Sequence, residues 1–177
     1  MKPDIRTRLL AVAAVVLFFA AIGLYVREFP VLFNTIGARV LVPGSIFTAI
    51  FVAGGILWYF RERFRPWERH LPEAIFALVF CPLFAPLAGS LLNRSIGKTA
   101  YEPFEFIAET PYFASGYGLL KGEKIKQSGY LLTVREKGRG LQFKYTRQAC
   151  FPLTKPGETI LLPVKKGLLG FRVVLLE

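Results

Sequence analysis

The pattern with the sharpest catalytic potential is Ser95-Ile-Gly-Lys98, which has the spacing Ser-x-x-Lys. In hydrolases of this kind a lysine can deprotonate the serine hydroxyl, which then attacks the substrate. The companion elements Ser-Asp-Asn and Lys-Thr-Gly are absent from the sequence. A lysine at a hydrated position also keeps its proton. A Ser/Lys hydrolase at a membrane surface is therefore an alternative hypothesis, and our main expectation is a protein that is not an enzyme.

The sequence contains few residues suited to nucleotide or metal binding. Gly97-Lys98-Thr99 matches the last three positions of a phosphate-binding loop, but the first glycine of that loop would fall on Leu92. One histidine, His70, and two cysteines, Cys81 and Cys150, are too few for a zinc ribbon, a four-cysteine iron–sulfur site or a disulfide scaffold. We predict no cofactor, no metal and no small-molecule substrate.

The remaining reactive side chains have structural interpretations. Glu102, Glu105 and Glu109 are expected to lie on the juxtamembrane segment, where they partly offset its cations. Cys81 is expected to be an inert apolar side chain inside a membrane helix. Cys150 is expected to be a buried free thiol, with an intermolecular disulfide as the alternative.

The elements that must position these residues begin with three membrane spans. With 53% hydrophobic and 20% charged residues, the chain is more apolar than a typical soluble domain, in which about 25% of residues are charged. Leu9 to Val26, Val40 to Phe60 and Ala74 to Asn93 contain no charged residue and no histidine. At ~1.5 Å per residue each run is about 27 to 32 Å long, which matches a bilayer core of about 30 Å. We predict transmembrane helices at 9–26, 40–60 and 74–93 within a membrane domain of residues 1–94, the first of them a retained anchor rather than a cleaved signal.

Positive charge predicts the orientation of these helices. The amino-terminal tail and the loop 61–73 together carry seven Lys and Arg residues, and the flanks on the other side carry four. Because positive loops resist translocation, the amino terminus is predicted to be cytoplasmic and the carboxyl-terminal domain extracytoplasmic. The compact organisation suggests a bacterial protein, for which the compartments are the inner membrane and the periplasm.

Two features of the membrane domain are candidate contact sites. Small residues recur at helical spacing on the second and third helices and are predicted to face each other or a partner protein, with chance recurrence as the alternative. These residues are Ser45, Ala49, Ala53, Ala77, Cys81, Ala85 and Gly89. The cytoplasmic loop mixes arginines with aromatic residues, which is typical of a lipid-interface anchor. Its candidate residues are Arg61, Arg63, Phe64, Arg65, Trp67 and Arg69. Docking of a cytoplasmic partner, with His70 reporting pH, is the alternative. No predicted span contains an ionisable residue, which disfavours transport.

Residues 98–177 are predicted to form a separate β-domain in water. Leu141, Phe143 and Tyr145 alternate with polar residues, which indicates a strand whose Phe143 and Tyr145 face the core. Residues 130–135 form a similar run, and the glycine-containing segment 136–140 between them predicts an antiparallel hairpin. Further strands are predicted at 112–120, 159–164 and 170–176. A compact antiparallel sheet or barrel of SH3-like or OB-like kind would close its own edges.

The charge of this β-domain guides the functional hypotheses. Residues 95–177 contain 13 basic and 7 acidic residues, a net charge of +6, which favours acidic partners. For an extracytoplasmic domain we expect membrane lipids and a protein partner or homo-oligomer, and no nucleic acid. The leading hypothesis is an integral inner-membrane protein that presents a basic β-domain for protein–protein interaction, as an accessory subunit of a membrane complex. An immunity protein against a pore-forming toxin is a further alternative.

Overall fold

The computed structural model describes residues 5–63, 65–113, 127–146 and 148–176, without the side chains of residues 7, 8, 10, 11 and 67–69. The chain forms two compact units. The helical unit comprises Met1–Phe29 and Arg39–Leu91, and the β-unit comprises Pro30–Ala38 and Leu92–Glu177. The segment between the first two helices therefore belongs to the β-unit, which the sequence did not predict.

Three long helices carry the apolar runs of the sequence: α1 (Ile5–Phe33), α2 (Ala38–Tyr59) and α3 (Trp67–Ser95). Among the described residues, three segments are long and apolar enough to cross a membrane: Val12–Phe33, Ala38–Tyr59 and His70–Ser95. Only 6%, 17% and 22% of their most apolar windows are buried within the protein. Most of this apolar surface needs an apolar solvent, which indicates insertion into a membrane. The prediction of three long apolar helices is confirmed.

The first helix continues past its predicted end at Val26 and includes Arg27 and Glu28. It ends at Phe33, where the Asn34 N–H still donates to the Pro30 carbonyl at 3.0 Å. Gly37 then adopts a φ of +90°, which an L side chain rarely adopts, and α2 begins at the next residue. Two helices are thus joined by a short segment that is long enough to hold one small strand.

Six strands form one antiparallel sheet in the described part of the chain, in the order β1-β6-β5-β2-β3-β4. Their bounds are β1 (Thr35–Ile36), β2 (Thr99–Tyr112), β3 (Gly129–Glu136), β4 (Arg139–Tyr145), β5 (Thr159–Lys166) and β6 (Arg172–Val174). The predicted hairpin is confirmed as β3 and β4, with Tyr130 opposite Tyr145. Lys137 and Gly138 have φ values of 49° and 80°, which fits a two-residue turn of type I′.

The longest strand, β2, includes the segment that the sequence analysis described as juxtamembrane, where it predicted no strand before residue 112. Its first half pairs with β5 and its second half pairs with β3, with a register shift between Phe106 and Ala108. Glu102, Glu105 and Glu109 are residues of this strand, and Glu102 and Glu105 pair with arginines of other strands. Of the predicted strand at 112–120, the structure places Tyr112 at the end of β2, and residues 114–120 lie outside the described residues.

The sheet curls around one apolar core. Phe143 and Tyr145 are 2% and 4% exposed, so their predicted place in the core is confirmed. The other buried members of this core are Phe104, Phe106, Leu132, Val134, Ile160, Leu162, Val164 and Val174. They follow the period of two that β-strands impose, with one face inward and one face outward.

Asn34 completes the sheet between its two edge regions. Its side-chain NH₂ donates to the Lys144 carbonyl and its Oδ1 accepts from the Lys144 N–H, both at 2.7 Å. Its backbone carbonyl accepts from Val174 at 3.0 Å. Asn34 therefore forms hydrogen bonds with the backbone of the edge strand β4 and with the backbone of β6. The six-stranded sheet is thereby nearly closed.

Candidate functional site

The predicted small-residue stripes lie in the helical unit, and the structure brings some of them together. A Cβ at Gly89 would lie 3.2 Å from Ser45 Cβ and 3.6 Å from a Leu41 methyl group, so α2 and α3 approach closely there. Ala53 and Ala85 are buried. Ala49 and Ala77 are half-buried and Cys81 is exposed. Whether these stripes also contact a partner protein stays a prediction.

The predicted lipid-interface residues lie in the chain after the end of α2 and in the first turn of α3. The Arg61 guanidinium lies 4.8 Å from the centre of the Trp58 ring, a distance at which a cation is attracted to the ring face. Arg61 and Arg63 line an open cavity of about 370 Å³ together with residues 58–60 and 62. Arg65 is exposed. Trp67 and Arg69 belong to the first turn of α3, and Phe64 lies outside the described residues.

The structure gives the Ser95 hydroxyl a structural partner. Its Oγ donates a hydrogen bond to the Leu92 carbonyl at 2.8 Å, one turn back along α3. Lys98 is exposed beyond the end of the helix. Within the described residues, no group of three His, Cys, Asp or Glu side chains could hold a metal ion.

One buried carboxylate in α1 was missed by the sequence analysis. Glu28 is 2% exposed, and its Oε1 accepts a hydrogen bond from Ser90 Oγ of α3 at 2.8 Å. The span Val12–Phe33 contains it, so the expectation that no span holds an ionisable residue was wrong for α1. The apolar residues that resume after Glu28 were the signal that the helix continues.

A partly buried ion cluster links three strands of the sheet. Arg172 Nη1 donates to Glu102 Oε2 at 2.6 Å, and its two terminal nitrogens donate to the two oxygens of Glu136 at 2.8 Å each. The hydrogen bond from Arg172 lowers the pKa of Glu136, against the opposing effect of burial. The same hydrogen bond raises the pKa of Arg172. One arginine thus partly compensates two carboxylates and links three strands, which points to a structural role.

A second carboxylate organises the segment that follows β4. Glu109 Oε1 accepts hydrogen bonds from the Tyr145 hydroxyl and, at 2.9 Å, from the Cys150 N–H. Glu109 Oε2 accepts from the Phe151 N–H at 3.2 Å. The carboxylate therefore anchors residues 150 and 151 against the core, and both of its oxygens accept hydrogen bonds within the β-unit.

Cys150 is exposed, which contradicts the expectation of a buried thiol, because Glu109 holds its backbone at the surface. Desolvation and then the Glu109 charge raise the pKa of its thiol. Since the thiolate is the reactive form, we expect alkylation by N-ethylmaleimide to be slow at neutral pH. In a Cys81→Ser variant, the rate should rise with pH through a midpoint above the ordinary thiol pKa of about 8.5. A midpoint below that value would contradict this prediction.

The most exposed apolar surface of the sheet lies on the outer face of β2 and β5. Tyr101 pairs with Pro163 and Pro103 pairs with Leu161. Tyr101 is 70% exposed and Leu161 is 60% exposed, while the two neighbours of Leu161 in the chain, Ile160 and Leu162, are buried in the core. We call Tyr101, Pro103, Leu161 and Pro163 the β2–β5 patch. A contiguous apolar group at the surface of a sheet is typical of an interaction site.

Three acidic side chains near this patch form ion pairs within the chain. Glu105 of β2 pairs with Arg135 at 2.9 Å, and Glu102 and Glu136 pair with Arg172. Several lysines, in contrast, form no ion pair with any residue that the structure describes. They are Lys98, Lys155, Lys165 and Lys166. These unpaired lysines favour an acidic partner.

Comparison of the chain with models of protein families, with curated proteins and with solved structures finds no match.

Proposed function

We propose that the chain is a non-enzymatic membrane protein that binds another protein through the β2–β5 patch, as an accessory subunit of a membrane complex. The observation that carries the proposal is the exposure of Tyr101 and Leu161, which are diagonal neighbours on a hydrogen-bonded pair of strands. An exposed tyrosine on a fixed backbone supplies a large contact area with little loss of side-chain freedom.

The free lysines define the chemistry of the partner. Lys165 continues β5 two residues beyond Pro163 of the patch, and Lys98 precedes β2. A partner that fits this surface has an apolar segment flanked by Asp or Glu. A second copy of the chain fits less well, because three of the acidic residues of its own β-unit are engaged by Arg172 and Arg135.

The finer architecture and location belong to the same proposal. We place the β-unit among small barrels of SH3-like or OB-like kind, and the chain in a bacterial inner membrane. The pairing of β1 with β6 supports one part of this topology, because it requires Thr35–Ile36 and the carboxyl-terminal chain to share one side of the membrane. The arginine-rich flanks at the other ends of the helices favour the periplasm as that side.

The test is site-specific photo-crosslinking of the full chain in native membranes. A benzophenone amino acid at Tyr101 should give one stoichiometric adduct with a different protein, and the crosslinked segment should be apolar with acidic flanks. The same probe at Leu153, which is 93% exposed but outside the patch, is the matched control. Leu161→Glu should reduce the adduct at position 101 by about tenfold, since it places a charge in an apolar contact.

Three outcomes would overturn the proposal. They are equal labelling at positions 101 and 153, an adduct of two copies of this chain, and an adduct with lipid alone. Activity of the full chain on an ester or peptide substrate that disappears in Ser95→Ala would instead support the hydrolase alternative.

A further inference from the structure

A short apolar loop follows β5 and presents two leucines outward. The Gly167 N–H donates to the Phe171 carbonyl at 2.9 Å, and the Gly170 N–H donates to the Gly167 carbonyl at 3.0 Å. These two hydrogen bonds fold residues 167–171 into a tight turn, in which Gly170 has a φ of +82°. Leu168 and Leu169 lie at its tip and are 53% and 43% exposed. We call residues 167–171 the leucine loop.

Asn93 fixes the leucine loop to the end of α3. Its backbone carbonyl accepts from the Leu168 N–H at 2.7 Å. Its side-chain Oδ1 accepts from the Leu169 N–H at 3.1 Å, and its NH₂ donates to the Phe171 carbonyl at 3.2 Å. Asn93 is 1% exposed. Three hydrogen bonds to one buried residue give the loop a fixed position relative to the helix end.

Asn93 places the leucine loop beside the end of an apolar helix. The segment His70–Ser95, which is long and apolar enough to cross a membrane, ends two residues after Asn93, which corresponds to about 3 Å along a helix axis. The uncharged run within it ends at Asn93, directly before Arg94. Two exposed leucines beside such a helix end meet lipid more favourably than water where the bilayer reaches them.

Positive charge flanks the loop on the side of β5. Lys165 and Lys166 directly precede the loop. Lys98 precedes the neighbouring strand β2, and its carbonyl accepts a hydrogen bond from the Lys166 N–H at 3.4 Å. None of these lysines forms an ion pair with a described residue. Long basic side chains beside apolar residues reach toward phosphate groups while their stems stay in the apolar boundary.

We propose that the leucine loop inserts into the boundary between headgroups and acyl chains of an anionic bilayer and holds the β-unit against the membrane. The occupant of this surface is the lipid of the membrane that α3 crosses. Continuity with the span carries this choice, since the loop is bonded to a residue of the span itself. The inference does not require a protein partner at the β2–β5 patch.

Depth-dependent fluorescence of the full chain tests the proposal. In a Cys81→Ser/Cys150→Ser background, Leu168→Cys is labelled with a polarity-sensitive nitrobenzoxadiazole dye and reconstituted into phosphatidylcholine vesicles with and without phosphatidylglycerol. Thr159→Cys is the control, because Thr159 is exposed on the same strand as Lys165 and lies about 20 Å away along it. Both positions are exposed, so neither substitution removes a core contact.

The expected result is a blue-shifted emission at position 168 and quenching by nitroxide-labelled lipid at least about threefold stronger than at position 159. Quenching by aqueous iodide should show the opposite order. Lys165→Gln/Lys166→Gln should remove the increase that phosphatidylglycerol causes, while the quenching in phosphatidylcholine remains. Water-like emission at 168 with iodide quenching equal to that at 159 would overturn the proposal, whatever the outcome of crosslinking at Tyr101.

Discussion

Replacing Gly167 by alanine is expected to destabilise the β-unit by about 3 kcal/mol or more. A Cβ at this position would lie 2.1 Å from the Asn93 carbonyl oxygen and 2.4 Å from its Oδ1. Neither oxygen can move away freely, because each accepts a hydrogen bond from the leucine loop. The substitution must therefore break the attachment of the loop to α3 or shift the backbone of both.

Hydrogen–deuterium exchange of the full chain in detergent measures this effect by region. In Gly167→Ala, the amides of β5 and β6 should exchange about 100-fold faster, since about 1.4 kcal/mol corresponds to a factor of ten. Gly140→Ala is the matched control, because a Cβ at Gly140 in β4 meets no atom within 4 Å. We expect the control to change stability by less than about 0.5 kcal/mol. Unchanged exchange in Gly167→Ala would contradict the close approach of the loop to Asn93.

The parts of the fold that the sequence predicted correctly are those with strong local patterns. A charge-free run as long as a bilayer is rare in soluble proteins, so the cores of α1, α2 and α3 stand out. The β3–β4 hairpin was predicted because Leu141, Phe143 and Tyr145 alternate with polar residues around a glycine-containing turn. In both cases the pattern that predicts the element lies within one continuous segment of the chain.

The parts that could not be predicted depend on contacts between distant residues. β1 has only two residues, and it pairs with β6, which lies more than one hundred positions later. Asn34 bonds to Lys144 across 110 positions and Asn93 bonds to Phe171 across 78. An asparagine side chain that replaces a peptide group leaves no periodic pattern. β2 was missed because Pro103, Pro111 and its glutamates are unfavourable in strands.

The candidate sites show the same limit. The close approach of Ser45 and Gly89 involves residues that the small-residue spacing had selected. The β2–β5 patch was missed, since Tyr101 and Leu161 are 60 positions apart and no strand was predicted at Tyr101. The alternation of Tyr101 and Pro103 with Glu102 and Phe104 was the signal that could have found it.

The second large effect is expected when Arg172 is replaced by methionine. This removes a cation that two carboxylates share, and the side chains of Glu136 and Glu102 are only 18% and 31% exposed. Breaking a buried ion pair from one side costs about 3–5 kcal/mol. Because this cluster is partly solvated, we expect a loss of about 2–3 kcal/mol at pH 7. The measurement is again amide exchange of the full chain, with β2, β3 and β6 as the reporting strands.

The pH dependence gives this prediction a distinct sign. In the natural protein, Arg172 lowers the pKa of Glu136, so the stabilisation is present above the unfolded-state pKa of about 4.3 and is lost as the pH falls through the lowered value. In Arg172→Met the two carboxylates repel each other, so acidification from about pH 7 to 5 should reduce the destabilisation. Arg135→Met is the control, since its pair with Glu105 is 50% and 41% exposed and should contribute less than about 1 kcal/mol at any pH.

A triple variant separates lost charge balance from lost packing. Arg172→Met/Glu102→Leu/Glu136→Leu removes every charge of the cluster and keeps apolar side chains inside the sheet. If uncompensated charge causes the loss in the single variant, the triple variant should recover most of it or exceed the natural stability, because an apolar replacement avoids the desolvation of three ions. A triple variant as unstable as Arg172→Met, with no dependence on pH, would show instead that the arginine acts through its packing. The ion cluster would then stabilise the β-unit through the packing of the Arg172 side chain rather than through its charge.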